Sequence, residues 1–447
     1  MTKFEIGQEV ETEFGGKAKI LDVIGSGRQS TVYLVEYNSM KMALKWYDPD
    51  KVKNPDKMYE NIRRNIKDGE PNNKFLWCKY MTKADRENGT FGYFMELKPD
   101  SFEYFADVMK GYKLVHDKST GRMTKKFVKF ASLNAMLTAV INIVNAFRQL
   151  HKVGKSYHAL SDGGFFINTD TGAVLMSDCD TIAPHGTDLG IKIRPSYKAP
   201  EVLEGSLPDE NSDMYTLAVV LFKVLFRGDP MEGKKVVMDV CLNEQELAEH
   251  YGRKAVFVYD PDDVSNRPLR CIHDNVIKFW GEYPEYIKEA FVRSFTVGKK
   301  EPEKRVSAEE WQNLFIRLRS EILSCVCGRS NFVSMHGKPK DKIFKCPKCS
   351  MEYATIGFSN RIFRMPLYIG CKLFECDINP YADDFLSVAG ELVENKLRPG
   401  LIGIKNCSDR KWSVKMPDGF FHDVAAGKGF PVWQGLEIDF GRVQAKF

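Results

Sequence analysis

No uninterrupted apolar run in this chain approaches the roughly 20 residues that a membrane-spanning helix needs. The longest apolar segment, Tyr215 to Phe226, is broken by Lys223 and has the length of a buried core helix. The N-terminal stretch MTKFEIGQEVETEFGG lacks the apolar core of a secretory signal. A large excess of one charge is also missing. The net charge of +5 over 447 residues gives little pull toward nucleic acid or a membrane surface. The eleven cysteines are odd in number, and four cluster between Cys325 and Cys349. Without an export signal, that clustering favours metal binding over a disulfide framework. A cytoplasmic protein with no membrane partner is the expectation.

What is present exceeds a single hydrophobic core, so two or three domains are expected. A content of 43% hydrophobic and 28% charged residues is ordinary for a globular protein. The first 50 residues alternate polar and apolar positions between glycines, as antiparallel strands do. Residues 130–151 carry apolar side chains at helical spacing, and 213–226 read as a second, buried helix. Trp311 and Phe315 lie one turn apart within a helical stretch over 280–318. After Leu323 the chain turns short and polar, bracketed by paired cysteines. From about 354 onward, short apolar runs separated by glycine, proline and asparagine have the rhythm of a small β-sandwich.

Ile24 to Tyr33 read IGSGRQSTVY, a strand, a Gly25-x-Gly27 turn and a β-branched continuation. Two glycines let the backbone approach phosphates and donate amides to them. Lys45 follows in the strand-like run MALKWY, where a lysine beside such a loop suits gripping α- and β-phosphates. Glu60, in the helical segment MYENIRRNIKDG, is a candidate ion-pair partner for Lys45, with Glu70 a second carboxylate nearby.

Downstream come Tyr157–Asn168 (YHALSDGGFFIN), Asp178 in LMSDCD, Tyr197 with Ala199-Pro200-Glu201, Asp213 in SDMYTLAVVLF, and Arg305 in EKRVSAEEW. In this order, with the N-terminal features, they resemble the eukaryotic-type protein kinase superfamily. The resemblance implies a bilobal α+β fold over 1–320, with an N-lobe over 1–95 and a C-lobe over 96–320. It also implies ATP as ligand, Met95 and Glu96 at the adenine-contacting hinge, and Asp178 as a magnesium ligand. Asp213 would open the large core helix, and Arg305 would pair with Glu201. The segment after Asp178 is short for an activation loop; Ser196 and Tyr197 are its candidate phosphorylation sites.

The catalytic loop departs from the family. Aligning Leu160 and Phe165-Phe166-Ile167 puts Ala159 where the catalytic aspartate belongs, Gly164 at the metal-binding asparagine, and Ser161 at the phosphate-contacting lysine. Alanine cannot orient a substrate hydroxyl, and glycine has no side chain to hold a second magnesium ion. Asp162 is a nearby substitute, and Asp180 offers a second carboxylate to a metal; a solvated loop carboxylate is the alternative for both. The runs VFVYDPDDVSNRP and SFTVGKKEPEKRVSAEEW further resemble one bacterial kinase group. That group is associated with metal-dependent Ser/Thr phosphatases and von Willebrand factor A proteins in tellurite-resistance and stress systems. The resemblance implies both as protein partners, and a cysteine-rich module behind the kinase.

Cys325-Val-Cys327-Gly328 and Cys346-Pro-Lys-Cys349 fit such a module. Paired thiolates closed by glycine or proline suit the structural zinc of a ribbon, expected over 321–356. His336 is an alternative ligand to one of the first two cysteines, and Lys338, Lys340, Lys342, Lys345 and Lys348 read as a solvated face. Residues 357–447 are expected to form an all-β sandwich and resemble a forkhead-associated domain. That family reads phosphothreonine through an arginine after a glycine, but here Gly370 is followed by Cys371 and Lys372. Ser387 lacks the downstream histidine, and Asn406 is a candidate contact to a peptide backbone. A phosphate-independent interaction domain and a phosphopeptide reader both remain open. The whole reads as an ATP-binding, catalytically impaired kinase-like scaffold, a pseudokinase. An active Ser/Thr kinase and a zinc-ribbon nucleic-acid binder are the alternatives.

Overall fold

The structure, a computed structural model, describes all residues except 1–3, 28, 49–50, 86–88, 118–120, 192–193, 239–242 and 339. The alternating residues at the start of the chain form strands β1 (Glu9–Glu11), β2 (Lys17–Ser26), β3 (Ser30–Tyr37), β4 (Met40–Tyr47), β5 (Cys78–Met81) and β6 (Gly92–Met95). They pair antiparallel in the order β1-β2-β3-β4-β6-β5. Successive side chains of a strand point to opposite faces. Met42, Leu44 and Trp46 of β4 therefore join Val10, Ala18, Tyr33 and Phe94 in a small outer cluster, while Lys45 and Tyr47 face the helical body. Between β4 and β5 runs α1 (Pro55–Asp68), with proline in its first turn and buried Met58, Asn61, Ile62 and Asn65 on one face.

The helical body is built on polar caps and apolar faces. Ser132 caps the helix Leu133–Lys152 by accepting from Ala135 N, and capping boxes open Glu210–Phe226 (Asp209 with Ser212) and Ala308–Ser320 (Ser307 with Glu310). Each such cap stabilises its helix by about 1 kcal/mol. Glu210–Phe226 is apolar around most of its circumference and is buried on nearly every side. Trp311 and Phe315 are fully buried and stacked at 5.5 Å, and Trp311 also packs on Phe291 at 4.7 Å. Truncating either ring to alanine should cost about 3–5 kcal/mol.

The turn of the hairpin Ile322–Ser324 with Ser330–Phe332 carries Cys325 and Cys327. Two sheets follow. A seven-stranded sheet and a four-stranded sheet (Lys372–Phe374, Val388–Glu394, Ile402–Asn406, Gly429–Pro431) enclose Trp412, Val414, Ile404 and Ile438. The core between the sheets is distinct from the large core of the helical body, but Phe374, Cys376 and Phe385 side with the latter. Arg319, almost fully buried, fastens this junction. It donates to Phe385 O (2.7 Å), Thr138 Oγ1 (3.1 Å) and Cys376 Sγ (3.2 Å), and lies 3.5 Å above the Phe374 ring. Arg361 adds bonds to Asp377 (2.8 Å) and Ser320 (3.0 Å). Mixed α and β structure was the expectation, and it is what forms. Among the described residues, no helix is long and apolar enough to cross a membrane.

Candidate nucleotide and metal sites

The β2–β3 hairpin closes where Gly27 N donates to Ser30 O at 2.8 Å, and Gly25 lies opposite Val32 beside a bulge. Lys45 stands in register with Val32 and Tyr93. Its ammonium lies 2.8 Å from Asp178 Oδ1 and 2.9 and 3.1 Å from the two oxygens of Asp180. The expected Lys45–Glu60 pair does not form. Glu60 is exposed on the outer side of α1, and the inner side carries Asn61 and Asn65 instead. Asn61 donates to Asp180 O (3.0 Å) and Ile182 O (2.8 Å), and Asn65 to Cys179 O and Ile182 O (both 2.8 Å). Glu70 pairs with Lys79 at 3.1 Å. Met95 ends β6 half-buried, opposite Ala43 and Cys78, and Glu96 is exposed.

Asp178 adopts the left-handed region (φ 58°, ψ 42°), which aspartate tolerates better than most residues. Thr181 closes the following single turn by donating its amide and hydroxyl to Asp178 O, both at 2.9 Å. This turn aims both carboxylates at Lys45. They differ in setting: a quarter of the Asp178 side chain is exposed, against 4% for Asp180, which also accepts from Tyr93 Oη at 2.8 Å. Asp180 is thus engaged inward, contrary to the expectation that it offers an oxygen to a metal. Burial alone would lower the Lys45 pKa, but the two carboxylates override it and hold it well above the usual range. Burial likewise drives Asp178 upward against the pull of Lys45, whereas Lys45 and the tyrosines overcome burial at Asp180 and hold it low. For magnesium, Asp178 fits: Lys45 takes Oδ1, and the group faces partly outward.

The loop over Tyr157–Asn168 is held from below. Asp213, fully buried, accepts from Tyr157 N at 3.0 Å and lies 2.9 Å from His151 Nε2. Arg305 meets Glu201 with two bonds of 2.7 Å. Ala159 brings no polar side chain to this loop. At Gly164 a Cβ would sit 3.0 Å from Leu160 Cδ1, 3.1 Å from Ser161 O and 3.3 Å from Asp178 Oδ2. The loop therefore closes against Asp178 and leaves an asparagine side chain little room. Asp162 accepts from Arg194 Nη1 (3.0 Å) and from the Tyr197 hydroxyl. Tyr197 is buried, so its hydroxyl is not presented for phosphorylation, and Ser196 is half-buried. Sequence reading missed His158: it is buried, Nε2 has no hydrogen-bond partner among the described residues, and burial lowers its pKa to about 4.

In the ribbon segment the sulfurs of Cys325, Cys327, Cys346 and Cys349 all lie within 4.8 Å of one another. Cys325–Cys349 is 3.4 Å and Cys327–Cys346 is 3.9 Å. Four thiolates around zinc at 2.3 Å are spaced about 3.8 Å apart, so the set fits that ion. His336 is not part of the cluster. The Cys327 amide and the Tyr353 hydroxyl pull the Cys325 thiol down to about 6, while its sulfur neighbours, against the Met351 amide, push Cys349 up to about 12. Crowded thiolates of this kind are what a divalent cation relieves.

In the sandwich, Cys371 is buried in the core and Lys372 is exposed. Ser387 donates its hydroxyl and amide to Asp384, a carboxylate where a phosphate reader would keep the serine free. Asn406 is also not a peptide contact. It is fully buried, its amide donating to Arg410 O (2.7 Å) and Val424 O (3.0 Å).

No family model matches the chain. Over 216 residues it is 24% identical to a probable LIM domain-containing serine/threonine-protein kinase of Dictyostelium discoideum. The chain is protein-kinase-like. The match covers 47% of this chain and only 30% of that relative's length.

Proposed function

We propose that this kinase-like chain binds ATP but transfers phosphate poorly, and acts as a scaffold in phospho-signalling. The observation that carries this reading is the Lys45–Asp178 ion pair of 2.8 Å beside a loop that holds Ala159 and a tightly packed Gly164. The amides around Gly25 and Gly27 and the ammonium of Lys45 would receive the phosphates, Met95 would border the base, and Asp178 would hold magnesium. Magnesium, when bound, supplies charge neutralisation to the phosphates. Gly164 adds no second ligand, and Asp180 is turned away toward Lys45.

Asp162 is the carboxylate an active-kinase reading needs as base. Its engagement by Arg194 and Tyr197 is the reason to prefer the impaired reading. The four-cysteine cluster would hold zinc structurally. The buried Cys371 and the Asp384-bound Ser387 favour phosphate-independent contacts for the sandwich. A metal-dependent Ser/Thr phosphatase and a von Willebrand factor A protein are the partners proposed from the sequence resemblance.

The test pairs an ATP-dependent shift in melting temperature with incorporation of labelled phosphate into the chain and a generic substrate. A thermal shift that Asp178→Ala reduces, with little incorporation, is expected. Robust autophosphorylation abolished by Asp178→Ala would sink the impaired reading, and absence of any shift would sink the binding reading.

A further inference from the structure

We infer that Asp180 is the residue that positions Lys45 for phosphate, replacing a carboxylate from α1; this rests on the nucleotide-binding reading above. Three observations converge. Both Asp180 oxygens accept from Lys45, at 2.9 and 3.1 Å, and Tyr93 fixes one of them from the other side. The face of α1 that meets this turn presents the neutral Asn61 and Asn65, and Glu60 is exposed on the other side. Finally, Asp180 is almost fully buried while Asp178 is a quarter exposed.

The two carboxylates thus have separate work. Lys45 must be held by one anion and remain close to the phosphates. Asp178, facing partly outward, is the one that would hold a cation. Asp180 has no such exit and stays on the lysine. In a kinase whose lysine is anchored by a helix glutamate, rotating that helix makes or breaks the grip. Here the anchor lies two residues from Asp178 on the same turn. α1 is fastened to that turn through Asn61 and Asn65, which bond backbone carbonyls of Cys179, Asp180 and Ile182. The position of Lys45 follows the turn and not the charge on α1.

The experiment uses the full chain and two readouts. A short pulse of acetic anhydride at pH 8, read by peptide mass spectrometry, reports the reactivity of Lys45. Lys155, another buried lysine with its own partners Asn65 and Asp68, serves as the control for general loosening. ATP affinity is measured in parallel. Asp180→Asn should raise Lys45 labelling at least fivefold with Lys155 unchanged, and weaken ATP binding at least fivefold. Glu60→Gln should leave both within twofold of wild type. The inference is overturned if Asp180→Asn melts normally and leaves Lys45 labelling within twofold, or if Glu60→Gln has the larger effect. Should Asp180→Asn not fold, Tyr93→Phe removes only one hydrogen bond from Asp180. It should raise Lys45 labelling two- to threefold, and an unchanged value would overturn the inference. If the wild-type chain binds no ATP, the nucleotide-binding reading falls, while the labelling arm still decides which residue holds Lys45.

Discussion

Arg305 and Glu201 meet fork to fork: Nη1 lies 2.7 Å from Oε1 and Nη2 lies 2.7 Å from Oε2. The same guanidinium donates to Gly298 O and Asn211 O, so one buried side chain ties three separate segments. Removing one member of such a pair strands the other and orphans both carbonyls. Arg305→Ala should therefore lose about 3 kcal/mol of stability. Arg305→Lys, which cannot reproduce the planar fork, should recover only part of it. Urea unfolding of the three proteins checks both values.

Placing at position 164 the asparagine that the resembled kinases carry should not raise phosphate transfer. A Cβ at position 164 would crowd Leu160, Ser161 and Asp178, so Gly164→Asn overpacks the loop, at a cost of about 1–3 kcal/mol. Phosphate incorporation by Ala159→Asp/Gly164→Asn should stay at the wild-type level. A large gain in turnover would show that the loop has more room than its geometry indicates.

His158 makes stability depend on pH. Its pKa falls from 6.5 in the unfolded chain to about 4 in the fold, chiefly through burial. As pH drops below 6.5 the unfolded chain takes up the proton first, so stability is lost between about pH 6.5 and 4. At pH 5 the loss from this group is on the order of 1–2 kcal/mol. His158→Gln should flatten the decline between pH 7 and 5 by that amount. Parallel pH curves for variant and wild type would contradict it.

The cysteine cluster should carry one zinc ion per chain by elemental analysis. Chelation should lower the melting temperature, because a segment this small gains much of its folding free energy from the metal. Cys346→Ser should lose the ion, and His336→Ala should keep it, since His336 lies outside the cluster.

The parts of the site written in chain order were legible; those set by packing were not. Lys45, Asp178, Asp213, Glu201 and Arg305 are each tied to a short motif, and the structure brings Lys45 to Asp178 and Arg305 to Glu201. The partner of Lys45 was misread because it depends on the rotational phase of α1. A shift of one residue turns a helix by 100°, so Glu60 and Asn61 point to different sides. The buried face Met58, Asn61, Ile62 and Asn65 carried the signal, since Met58 and Ile62 mark the inward stripe. Asn406 was misread for a different reason. Nothing in GIKNCS distinguishes an amide that bonds its own loop from one that faces a ligand, and only the positions of Arg410 O and Val424 O decide it.

Arg319 reaches Thr138 near the start of the helix Leu133–Lys152, and His151 near its end touches the Asp213 that holds Tyr157. The two contacts are about 20 Å apart along one continuous helix. That helix is a strut with the C-terminal sheets braced against one end and the Tyr157–Asn168 loop hung from the other. Load placed on those sheets would be borne, through a single rigid member, at the floor of the loop.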